Sequence, residues 1–208
     1  MAGGGKSAAY QRFLASTNID YERWHDGVPY DLDALRELTG AERDAAEAWL
    51  VAHADRDWRD LEGLLALGTV RARAAVVGQL RGRSLEMRLS AARLLGPDPA
   101  LAADREAAIV AGLGETAFGG GLKDALDLAV AEPTPAVIDA LFRAALRTDS
   151  AVHAGAALAF LHGHAKEPFD MARRPFFLKL VDGDGGVRRA AFEALCRECG
   201  VDPGRYPG

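Results

Sequence analysis

The chain has 208 residues, 49% of them hydrophobic and 26% charged, which suits an ordinary soluble domain with a core and excludes the disordered and fibrous classes. Its 25 Lys and Arg stand against 30 Asp and Glu, a formal charge of -5, so a phosphate backbone is repelled at long range and a nucleic-acid partner would need a local basic stripe. No apolar run approaches the roughly 18 residues of a bilayer span, and with cysteine confined to Cys196 and Cys199 a cytoplasmic, reducing setting is expected.

From the N-terminus, residues 1–30 read as a tail and capping segment, and residues 31–208 as the helical domain. Glycines 3 to 5 with Lys6 and Ser7 resemble the end of a phosphate loop, but the first glycine of that motif would fall before Met1, and a plain flexible terminus accounts for them. Residues Tyr21 to Asp31, YERWHDGVPYD, have no helical period. Trp24, His25, Asp26 and Tyr30 there are candidate partner contacts, because aromatic and charged groups on a loop make binding surfaces. Alternatively, Trp24 and Tyr30 cover the open apolar end of a stack.

Aromatics are only 7% while Ala and Leu abound, so helix is the first template to try. Positions i, i+3, i+4, i+7 and i+8 are apolar or small in stretches starting at Met87, Leu122, Val152 and Val187, with a weaker copy at Trp58 interrupted by Glu62. The starts lie 29, 35, 30 and 35 residues apart, an interval typical of repeat arrays. Between them fit further helices, roughly Val70 to Arg81, Leu101 to Leu113, Ala136 to Arg147 and Phe169 to Val181, with Thr39 to His53 ahead. Thr39 with Glu42 forms a capping box, Thr69 and Ser84 are caps, and Gly68, Gly96, Gly114 and Gly200 are terminators.

The stretches from Asp184 to Leu195 and from Asp149 to Phe160 resemble the second helix of HEAT repeats, in particular the short bacterial kind found in bilin lyases. The resemblance spans about residues 55 to 200. It implies an all-α, right-handed α-solenoid of stacked antiparallel helix pairs, and it says little of function, since such arrays serve as adaptors, lyases and DNA glycosylases.

Each template start is followed by a basic or protonatable residue: Arg59, Arg88, Lys123, His153 and Arg188. Asp55, Asp149 and Asp184 precede three of them by four residues, as in the internal Asp/Arg ladder of HEAT proteins, so the series either joins repeats or presents cations to an acidic partner. Arg173 and Arg174, in the irregular stretch HGHAKEPFDMARR, either hold a carboxylate or stay solvated. Cys196, Cys199, His162 and His164 end successive repeated helices and are a weak zinc candidate, set against buried cysteines acting as small hydrophobes. A glycosylase would centre on Trp58 with Asp57 and Asp60, but the core stripe claims Trp58. No catalytic motif is present. The expectation is a cofactor-free protein-binding module, an adaptor or inhibitor, with a lyase-related enzyme or ligand binder as the alternative and nucleic-acid binding behind both.

Overall fold

The computed structural model describes residues 6–18, 21–22, 26–115 and 121–207, and all regular secondary structure among them is helical. The helices are α1 (Ala8–Thr17), α2 (Leu32–Glu37), α3 (Gly40–His53), α4 (Trp58–Leu67), α5 (Val70–Gln79), α6 (Leu85–Leu95), α7 (Ala102–Glu115), α8 (Lys123–Ala131), α9 (Pro135–Ala144), α10 (Ala151–Leu161), α11 (Arg174–Leu178) and α12 (Gly185–Glu198). Among the described residues no helix is long and apolar enough to cross a membrane.

The chain divides into two compact units, Met1–Gly96 and Pro97–Gly208. In the first, α3 packs on α4 and α5 on α6, while α4 also touches α6 and α2. In the second, α7 packs on α8 and α9 on α10, with α7 also on α9, α8 on α10, and α10 on α12. Consecutive helices thus pair, and alternate helices touch.

Local chemistry sets the ends. Thr69 and Ser84 accept from the backbone N–H of Ala72 and Met87, 3.0 and 3.3 Å away, and Gly68 closes α4 in the left-handed region at φ 67°. Thr39 makes no such bond: Glu42 instead accepts from the Ser7 N–H at 2.7 Å, tying the start of α1 to α3. Gly114 does not terminate, since α7 runs on to Glu115. The segment expected to be helical from Phe169 to Val181 is broken into a 3-10 turn at Met171–Arg173, the single turn and a half of α11, and a second 3-10 turn at Lys179–Val181. Pro175 lies in its first turn, where its lack of an N–H is harmless.

Burial follows the repeat stripes unevenly. Leu122, just ahead of α8, with Ala125, Leu126 and Ala129 on α8, and Met87, Ser90 and Ala91 on α6, are buried. On α4 the buried residues are Arg59, Asp60, Leu61, Gly63, Leu64 and Leu67, leaving Leu65 and Ala66 half-exposed, and on α12 Val187 and Ala190 are exposed while Ala191, Phe192, Leu195 and Cys196 are buried. Helix α10 is buried nearly all round, and Gly155 there lets Leu180 approach so closely that an added Cβ would lie 2.5 Å from its Cδ1.

Segment 1–30 contains α1, whose Phe13 is buried and meets the rings of Tyr30 and Trp49 edge-on at 6.0 Å each. At the other end, Tyr206 is buried against α9 and α12: its ring stacks on Phe142 at 5.2 Å, and its hydroxyl donates to Asp139 Oδ1 at 2.9 Å.

Candidate functional site

Helix α8 carries Lys123, Leu126, Asp127 and Val130 at i, i+3, i+4 and i+7, one face of the helix. Across from it, α10 presents His153 and Ala157, one turn apart. Pro168 and Phe169, from the irregular stretch after α10, close the side, and together these residues line a groove of about 220 Å³. Leu126, Val130 and Ala157 make an aliphatic floor. Lys123 Nζ lies 2.6 Å from Asp127 Oδ2 at the rim, both side chains well exposed. The His153 ring stacks on Phe169 with centroids 5.3 Å apart and planes 28° apart, and burial lowers its pKa, so it is the neutral imidazole near pH 7.

The groove gathers two of the five basic positions and leaves the other three elsewhere. Arg59 is buried in the first unit. Its guanidinium is held by Asp57, with Nη2 at 2.6 Å from Oδ2, and lies over the Tyr30 ring at 4.9 Å. Among the described residues its Nη1 has no hydrogen-bond partner. The Tyr30 hydroxyl donates to Asp60 Oδ1 at 3.0 Å, and burial pushes the Asp60 carboxyl up to about 6 and raises the Tyr30 hydroxyl. Tyr30 and Arg59 are therefore core groups, not surface contacts. Arg88 donates from Nε to the Leu80 carbonyl at 3.3 Å. Arg188 is exposed, beside a second cavity of about 330 Å³ over Leu146 and Phe192.

The acid partners differ from a ladder. Arg59 pairs with Asp57, Asp149 with Arg147 at 3.3 Å, and Asp184 caps α12 by accepting from the Gly186 N–H at 2.7 Å. Arg173 is a strap: it donates to both carboxylate oxygens of Glu198 at 2.7 and 2.9 Å and to the His164 carbonyl at 2.9 Å, with Phe176 and Phe177 beneath it. Arg174 is exposed on α11, and Asp26 is exposed, its N–H bonded to the Glu22 carbonyl at 2.8 Å. Trp24 and His25 lie outside the described residues.

Cys196 and Cys199 are buried free thiols, pushed up to about 11 and about 12 by desolvation, and so stay protonated at neutral pH. His162 sits edge-on to Phe142 at 6.3 Å. Among the described residues no group of three or more His, Cys, Asp and Glu is placed to hold a metal ion.

Sequence reasoning missed Asp127, Pro168 and Phe169 as lining groups. The helical stripe at Leu122 marked the floor, but the wall comes from a loop without periodicity, and only the Pro-Phe pair signalled it. None of the known protein families, curated proteins or solved structures compared with the chain matches it.

Proposed function

We propose that the chain is a HEAT-like helical-repeat module, a right-handed α-solenoid of antiparallel helix pairs, that binds another protein through the groove along α8 and α10. The observation carrying this reading is that groove itself: an apolar floor of Leu126, Val130 and Ala157, with the repeat positions Lys123 and His153 at its edge. Within each unit, pairing of consecutive helices and touching of alternate ones supports the repeat assignment. The groove's ionisable groups include the Lys123–Asp127 ion pair and a stacked imidazole, which suit holding a partner better than moving protons. Its roughly 220 Å³ falls below the ~300–1,000 Å³ of sites for drug-sized ligands and is too small to enclose a linear tetrapyrrole, which favours a protein over a lyase-type chromophore. In the cell such a module acts as an adaptor or an inhibitor.

The test is recovery of a stoichiometric partner on the tagged full chain from its source cell. Lys123→Glu, at the exposed edge of the groove, is expected to weaken that complex by roughly tenfold or more. Unchanged recovery, or a purified sample carrying a coloured chromophore, overturns the reading.

A further inference from the structure

Glu62, Leu65 and Ala66 stand at i, i+3 and i+4 on α4 and so share one face of it. In the sequence Glu62 interrupts an apolar stripe, and in the fold that stripe is not the buried side of the helix: all three residues are half-exposed. Helices α2 and α6 both touch α4, and Leu32 and Arg36 from the one and Leu94 from the other complete a cavity of about 300 Å³ with the α4 face. That volume is at the lower end of the ~300–1,000 Å³ of small-molecule sites.

The apolar lining is aliphatic. Leu32, Leu65, Ala66 and Leu94 are each half-exposed, so an alkyl chain laid along them removes apolar surface from water. Glu62 supplies the charge, and its side chain has no hydrogen-bond or ion-pair partner among the described residues. Burial raises its pKa, and the attraction of Arg93, which acts the other way, does not cancel the rise, so the carboxylate lacks a sufficient counter-charge. Arg36, the cation in the lining, is engaged elsewhere: its Nη1 donates to Asp33 Oδ1 at 2.6 Å. We propose that this groove binds a small aliphatic primary amine, its ammonium on Glu62 and its chain along the leucines. An ammonium brings a compact charge with three donors, while an anion is repelled by Glu62 and a neutral chain leaves the carboxylate uncompensated. The proposal stands independently of the protein-binding reading above.

The experiment titrates the full chain, isotope-labelled at Ala and Leu methyls, with hexylamine near neutral pH, and with hexan-1-ol and hexanoate as neutral and anionic counterparts. Saturable shifts at Leu32, Leu65, Ala66 and Leu94 are expected with hexylamine, with affinity roughly tenfold weaker for the alcohol and weaker still for the anion. Glu62→Gln keeps the shape and removes the charge, and is expected to bring hexylamine down to the affinity of the alcohol. Arg93→Ala, at an exposed position, is expected to tighten hexylamine severalfold by removing the competing cation. The second variant keeps the test decisive if the first fails to fold.

Absence of saturable shifts, affinity for hexan-1-ol or hexanoate equal to that for hexylamine, or an unchanged preference in folded Glu62→Gln overturns the site. Hexylamine binding that stays the same or weakens in Arg93→Ala does so too. Nα-acetyl-L-lysinamide binding more tightly than hexylamine overturns the free amine as occupant in favour of a lysine side chain.

Discussion

Asp60 is 2% exposed beneath Tyr30, and burial outweighs the hydroxyl that donates to it, so its carboxyl is pushed up to about 6. The folded state therefore holds the Asp60 proton more tightly than the unfolded chain, whose carboxyl titrates at about 3.9. Its stabilisation is complete below about pH 4 and is lost as pH rises through about 6. Asp60→Asn, which has no proton to lose, is expected to gain stability relative to the parent as pH rises from about 4 to 7. Thermal melts across that range check it, and parallel profiles for the two proteins would refute it. Tyr30→Phe removes the donor from a buried carboxylate and is expected to cost about 1–3 kcal/mol in urea unfolding. The sequence left both a surface and an interior place open for Tyr30 and Arg59, and the burial of Asp60 was not legible in it, because α4, which carries Arg59 and Asp60, turns a different face inward than its weak stripe suggests.

At the scale of the helix, two glycines give opposite expectations. Gly78 on α5 is exposed, and a Cβ added there meets nothing within 4 Å, so Gly78→Ala should stabilise by about 0.5–1 kcal/mol through helix propensity alone. Gly155 on α10 faces Leu180, Leu195 and Phe177, and Gly155→Leu should destabilise by about 1–3 kcal/mol or more because packed side chains must leave their rotamers. The same melts read both.

The C-terminal turn is a second element to test: Tyr206→Ala removes the ring stacked on Phe142 and the bond to Asp139, and about 3–5 kcal/mol should be lost, against about 0.5–1.5 kcal/mol for Tyr206→Phe. Helices α3, α5, α7 and α9 were readable to within a few residues from caps, glycines and prolines, because these signals are local. Helix α1 was not, although Ser7 caps it by accepting from the Tyr10 N–H at 3.1 Å. It is only ten residues long and lies outside the recurring stripes, so it passes for a tail.

Across the whole molecule, burial predicts where each unit opens last. Helix α10 has seven of its eleven residues buried, and α4 six of its ten, so their amides should exchange slowest within the second and first units respectively. The 3-10 turns flanking α11 bury few side chains and should exchange early. Uniform protection along the chain would contradict this ordering.

Sequence alone determined that the chain is helical and roughly where most helices lie, since a 3.6-residue apolar period and its caps act within a few residues of chain. It also placed Lys123 and His153 each directly after the first residue of a similar apolar stripe. Only the tertiary structure decided that these two share a groove with Phe169, that Arg59 is held inside by Asp57, and that Arg173 straps Glu198. Those outcomes depend on which face each helix turns to its neighbours and on how far burial shifts a charge, quantities set by the packing of residues distant in sequence.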